Sequence, residues 1–211
     1  MSEPITPRIA LLLDRSGSMA CHRDETIAAV NGYLDEASGD PALVRARFTL
    51  VTFDSAATEV ARHDEPLSSC RRLTEDEFVP RAATPLLDAV AFTVGLLDRQ
   101  GTRMDPHILA IVTDGKENAS IEHSRDSIRA LLKERRAAGW LVLYLGANQN
   151  SWAEAGALGL KAGNVADFDI GAIDGVSLAL KGVSSRFVRS GAGDFLADEL
   201  KLLKDRRRVR R

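Results

Sequence analysis

The stretch "LLLDRSGSMA", residues 11–20, decides the fold. Three leucines without polar interruption suit a strand buried on both faces. They run into Asp14, Ser16 and Ser18, short oxygen-bearing side chains at every second position, with Gly17 free to turn between the hydroxyls. Upstream, "RIALLL" (8–13) extends the apolar run to strand length. Such a strand needs helices on both sides of its sheet, so the remaining chain is expected to alternate strand and helix.

The pattern follows that expectation. Ile27, Val30, Leu34 and Ala37 recur at spacings of 3, 4 and 3, one face of a helix for which Asp24 is the expected cap. "ARFTLVTF" (46–53) reads as a strand, and "ATEVAR" (57–62) as its antiparallel hairpin partner across the turn at Asp54-Ser55. Thr84-Pro85 opens a second helix, with Thr84 as cap and Pro85 in first position, carrying Leu87, Val90, Val94 and Leu97. "HILAIVT" (107–113) is a second fully buried strand, ending at Asp114-Gly115. Ser124 caps a helix through Ile128, Leu131 and Leu132 that stops at Gly139. "WLVLYLGA" (140–147) and "NVADF" (164–168) are further strands, with a short helix at 151–158 between them and a last helix at 175–189. This order predicts an α/β fold with a doubly wound, mostly parallel central sheet. One antiparallel edge strand and helices on both faces complete a Rossmann-like arrangement.

With 211 residues, 45% apolar and 27% charged, the chain suits one domain with a well-buried core. No stretch approaches the ~20 uninterrupted apolar residues that span a bilayer. The start, "MSEPITPRIA", lacks the basic residues and apolar run of a signal peptide. Cys21 and Cys70 are too few for a disulfide framework and have no metal-ligand spacing, so two free thiols and a cytoplasmic location are expected. Residues 201–211, "KLLKDRRRVRR", carry a balance of +6 within a chain of net charge −2, which leaves −8 on the other 200 residues. A domain over 1–192 is expected, followed by a basic, solvated tail over 193–211.

In open α/β sheets, ligands sit beyond the carboxyl ends of the strands, where connections diverge. Three loops leave that edge carrying oxygens: "DRSGS" (14–18), "ATPLLDA" (83–89) and "TDGKENAS" (113–120). Asp14, Ser16, Ser18, Thr84 and Asp114 supply two carboxylates and three hydroxyls, a donor set for a hard divalent cation such as Mg²⁺ or Mn²⁺. Neutral hydroxyls leave the ion electrophilic, and a water-held position would accept a carboxylate from another molecule. Arg15, His22, Lys116 and Glu117 are expected on the rim such a partner would touch. Asp54 is expected to serve its hairpin turn, and Trp140 and Trp152 to pack. His63, His107 and His123 show no ligand spacing.

Together these residues resemble the von Willebrand factor A domain. Asp14-x-Ser16-x-Ser18, Thr84 and Asp114-Gly115 match, in order, all five elements of that family's metal-ion-dependent adhesion site. The resemblance extends over roughly residues 7–190, carried by "DRSGSM", "TPLLDAV" and "IVTDGKEN". It implies a divalent-metal-dependent protein-binding module without catalysis, in which a partner's Asp or Glu completes Mg²⁺ coordination. For compact bacterial members it further implies an adaptor for an AAA+ ATPase or a stress-response system.

Two alternatives stand beside this reading. A metal-dependent hydrolase of the phosphoryl-transfer type would want a second Asp where Ser16 stands. The chain has neither a Walker A loop nor a G-x-S-x-G elbow. RNA binding through the basic tail runs against the acidic body and an aromatic content of 5%.

Overall fold

The computed structural model describes residues 5–147, 151–169 and 172–204. β1 (Arg8–Asp14) lies inside the sheet because both its faces are apolar: Ile9, Leu11 and Leu13 face one layer, Ala10 and Leu12 the other. Its neighbours are β2 (Arg47–Phe53) and β4 (His107–Thr113), both parallel to it. β3 (Thr58–Pro66) pairs antiparallel with β2 at one edge. Beyond β4 come β5 (Leu141–Gly146) and β6 (Val165–Asp167), giving the order β3-β2-β1-β4-β5-β6. The winding direction reverses beside β1, which opens the crevice at its carboxyl end.

α1 (Arg23–Ser38) and α5 (Ile173–Ser190) cover one face; α2 (Leu86–Leu97), α3 (Arg125–Ala137) and α4 (Ser151–Ala157) cover the other. α1 and α5 approach closely at Gly32, where a Cβ would lie 2.9 Å from Ser177 Oγ. That hydroxyl donates to the Ala29 carbonyl at 2.7 Å, so a buried polar atom ties the two helices. Among the described residues, no helix is long and apolar enough to cross a membrane.

Both expected caps at the ligand edge are corrected. A 3₁₀ turn over Gly17–His22 precedes α1, which starts at Arg23, so Asp24 sits in the first turn and complements the helix dipole without capping it. α2 begins at Leu86, and neither Thr84 nor Pro85 caps it through a side chain. Its first amides are met from the loop after β4: Leu87 N–H donates to Glu117 Oε2 and Ser120 Oγ, each at 3.0 Å. Glu117 Oε1 also accepts from the Ala119 and Ser120 amides. This carboxylate therefore fastens the loop to the helix, and the Thr84 hydroxyl is left for another role.

The segment assigned by sequence to the tail is also partly structured. Residues 193–204 bury Phe195 and Leu203 and form α6 (Ala197–Leu202) against α5. Arg186 clips it with two bonds, Nη1 to Glu199 Oε1 at 2.8 Å and Nη2 to Glu199 Oε2 at 2.9 Å. The remainder of the expected solvated tail, residues 205–211, lies outside the described residues.

The edge strand carries a charged residue inside. Arg62 on β3 is 2% exposed, because the chain after β3 folds back over it. Its guanidinium donates to the carbonyls of Ala61, Arg71 and Arg72 and, with two nitrogens, to both oxygens of Glu77. The Arg62 hydrogen bonds, set against partial burial, pull the Glu77 carboxyl down to about 2.

Glu77→Ala leaves a guanidinium buried with its charge unanswered, and should lower stability by about 2–3 kcal/mol, read as a lower midpoint in urea. The depressed Glu77 acidity makes its contribution complete above the ordinary glutamate value of 4.5, and it should be lost as pH falls toward 2. The stability difference between native protein and Glu77→Gln should therefore shrink across that window; a difference that held constant would refute the pairing. Independently, Glu117→Ala strips the start of α2 and should cost about 1–2 kcal/mol in the same assay.

Candidate functional site

β1 delivers Asp14 to the crevice fully buried, and the two turns that follow bring oxygens to it. Asp14 Oδ1 accepts the Ser16 amide at 2.7 Å, folding the loop back on the strand end. Oδ2 accepts the Thr113 hydroxyl at 2.5 Å, across from the end of β4. Ser16 Oγ and Ser18 Oγ are 3.1 Å apart, and Ser18 Oγ donates to Asp114 Oδ1 at 2.6 Å. Asp14, Ser16, Ser18 and Asp114 thus belong to one hydrogen-bonded cluster.

Thr84 joins it at Gly115. A Cβ on Gly115 would lie 2.8 Å from Thr84 Oγ1 and 3.2 Å from Asp14 Oδ2, so both oxygens border the space that this glycine keeps clear. Thr84 is held there by its backbone: its N–H donates to Asn118 Oδ1 at 2.9 Å, and its carbonyl accepts the Asn118 amide at 3.2 Å. All five sequence-selected oxygen residues therefore sit at one place on the carboxyl edge. Thr113 escaped the sequence reading, whereas Gly115 stood in it as part of the Asp114-Gly115 pair and Asn118 as a residue of the rim loop. The signal for Thr113 was a hydroxyl ending a run of apolar strand residues beside a carboxylate.

The charge of Asp14 is answered only by neutral donors. Burial pushes its carboxyl up, against the lowering by the Thr113 and Ser16 hydrogen bonds, and nearby Asp114 pushes it further. Asp54, at the end of β2, goes the other way. Burial raises it too, but the Ala56 and Ala57 amides and Arg15 outweigh that and hold it below the usual carboxylate range. Among the described residues, no three His, Cys, Asp or Glu side chains are grouped as metal ligands. The cluster has two carboxylates, and its other side-chain oxygens are hydroxyls.

The expected rim divides. Arg15 is 4% exposed and turned into the fold, donating to Asp54 Oδ2 at 2.8 Å and Glu59 Oε2 at 2.6 Å; it braces the Asp54 turn and is not a rim contact. Glu117 is engaged at α2, as described above. Lys116 is exposed beside the cluster. His22 is half-buried, with Nε2 3.4 Å from Cys21 Sγ. Both cysteines are free. Far from the cluster, at the amino ends of β4 and β5, Trp140 stacks on His107 with centroids 4.7 Å apart. Trp152 is 44% exposed near β6, less packed than expected.

No protein-family model matches the chain, and no curated protein matches it in sequence. Solved structures do match in fold. Proximal thread matrix protein 1 from the mussel byssus aligns with a TM-score of 0.64 and 17% identity, over 86% of this chain and 48% of that one. The vWF domain of the type V pili tip protein Mfa5 from Porphyromonas gingivalis gives 0.67 and 8% identity, over 90% and 97%. The manganese-loaded TRAP protein of Plasmodium vivax gives 0.56 and 16%, over 81% and 71%. The chain spans about half the length of the mussel chain. A byssus matrix protein and a pilus tip protein stand outside the cytoplasm, and this overturns the cytoplasmic location expected from thiol count and N-terminus. At these identities the likeness is one of architecture: the fold is von Willebrand factor A-like.

Proposed function

We propose that this chain is a non-catalytic protein-binding module whose ligand edge takes Mg²⁺ or Mn²⁺ through Asp14, Ser16, Ser18, Thr84 and Asp114. An Asp or Glu of the partner completes the coordination. The observation that carries this reading is the Asp14 carboxylate, fully buried and bonded to the Ser16 N–H and the Thr113 O–H, both neutral. A buried charge answered by neutral donors alone is costly, and a divalent cation at that place reverses the sign of the balance. The donor chemistry fits: two carboxylates and three hydroxyls are hard oxygens, and a set of this size leaves a place for water or a visiting carboxylate.

Further support comes from what surrounds the cluster. Gly115 keeps space open beside Thr84 Oγ1 and Asp14 Oδ2. The Ser16 and Ser18 hydroxyls bond to each other and to Asp114, and among the described residues no His or Lys base is hydrogen-bonded to them, which favours binding over nucleophilic catalysis. The TRAP structure of similar fold is manganese-loaded.

Titration calorimetry with Mg²⁺ and Mn²⁺ should show one site, and the fold should persist in chelator because the core strands are apolar. At a hundredfold excess over Kd the cation should stabilise the protein by about 2.7 kcal/mol, raising Tm by about 5–10 °C. Asp14→Ala and Thr84→Ala should each abolish that rise while leaving the circular dichroism spectrum intact. An equal response to metal in native protein and Asp14→Ala would sink the reading.

A further inference from the structure

The ligand edge does not stop at Asp14. In the register of the parallel strands Leu13 is level with Val112, Thr113 with Gly146, and Gly146 with Asp167. Asp14, Thr113, Gly146 and Asp167 therefore form one row across β1, β4, β5 and β6, all on the same face of the sheet. The Thr113 bond to Asp14 runs along this row. At Gly146 the place of a side chain is taken by Ser151. At the far end Asp167 Oδ2 accepts the Trp152 indole N–H at 2.7 Å, while Oδ1 is buried without a partner among the described residues.

Next to that end is a groove of about 600 Å³ between α4 and α6, lined by Trp152, Asp167, Ala197, Leu200, Lys201 and Lys204. Its apolar lining is open: Trp152 is 44% and Leu200 37% exposed. Lys204 is exposed, and among the described residues Lys201 pairs with Asp198, itself 92% exposed, a pair worth little. The groove is thus apolar at its floor and cationic at its rim. The chain's own end does not suit it, since residues 205–211 carry five arginines and one aspartate in sequence.

We propose that this groove is the second contact of the partner that reaches the oxygen cluster. The occupant is an extended acidic segment: one carboxylate goes to the Asp14 cluster, one apolar side chain lies against Trp152 and Leu200, and further acidic residues face Lys201 and Lys204. Its carboxylate end rests on the metal reading above; its groove end does not. Three strand spacings of about 4.8 Å separate the two contacts by about 14 Å. At about 3.3 Å per extended residue, the carboxylate and the apolar anchor lie four or five residues apart.

The test uses the full-length ¹⁵N-labelled protein, whose two tryptophans give two indole signals. Trp140, at the opposite end of the sheet, is the internal reference. The probes are synthetic peptides with one Asp, one Leu two to eight residues later, and two Glu after the Leu, added in excess Mg²⁺. The Trp152 signal should move saturably, most tightly at spacings of four or five, while Trp140 stays still. Leu200→Ser, or Leu→Ser in the peptide, should weaken binding at least threefold. Asp14→Ala or chelator should weaken it about tenfold and leave the Trp152 movement visible at higher peptide concentration.

Metal-dependent peptide binding with Trp152 unmoved, or with no preference in spacing, overturns the groove and leaves the metal reading standing. Trp152 movement indifferent to Asp14→Ala and chelator separates the groove from the oxygen cluster and overturns the proposal, while the metal reading stands or falls on the calorimetry above. No movement with any peptide, or movement on raising protein concentration alone, which marks a second copy as occupant, overturns the proposal.

Discussion

The buried carboxylate of Asp14 is the constraint from which the ligand edge follows. β1 is an interior strand, flanked by β2 and β4 and covered on both faces, so its last residue has no lateral route to water. A carboxylate so placed costs several kcal/mol unless its surroundings answer it. The answer has to come from above, from loops that leave neighbouring strands at the same level. That is why the turn at Ser16, the end of β4 at Thr113 and the start of α2 at Thr84 gather there, and why the glycine facing them carries no side chain.

The loops that meet Asp14 are themselves held by charges that are already satisfied. Arg15 and Arg81 share Asp54 Oδ2, fixing the β2–β3 turn against the first loop. The Arg81 amide donates to the Arg15 carbonyl and the Gly17 amide to the Ala82 carbonyl, so the segment before α2 lies along the 14–18 loop. Glu117 and Asn118 then bind the 113–120 loop to the same segment. Asp14 ends β1 and Asp54 directly follows β2, yet their acidities move in opposite directions: amides and guanidinium answer Asp54, neutral donors alone Asp14. The result is a rigid frame around one under-answered charge, the arrangement that preorganised sites require.

Most of this frame was legible in the sequence where the signal was local. The continuous apolar runs at 8–13 and 107–113 and the 3, 4, 3 spacings gave the layers and the strand types. Ser124 caps α3 as its position implies, with Ser127 in return. What was hidden was non-local. Nothing near Thr84 shows that α2 is met by Glu117 and Ser120, more than thirty residues on. Arg62 reads as an ordinary surface residue of an edge strand, and only the fold-back at 71–77 buries it. α6 was masked by composition: Leu200, Leu202 and Leu203 run into a basic stretch, and the basic stretch dominates the pattern.

α6 also sets how charge is distributed along the ligand edge. The Leu203 carbonyl accepts the Asp169 amide at 2.8 Å, just past the end of β6, so Lys201 and Lys204 stand at the same edge as Asp14 but three strands away. About 14 Å exceeds the Debye length of about 8 Å at physiological ionic strength. Across solvent, the lysines are therefore too screened to alter the charge balance at Asp14, and a cation bound there would not be weakened by them. Their effect falls on an incoming acidic chain. The rest of the body is net negative, so charge favours the approach of such a chain at the α6 end over the body taken as a whole. A segment that enters at α6 and follows the row of β6, β5 and β4 meets the oxygen cluster last, which makes the order of contacts a consequence of where the chain places its lysines.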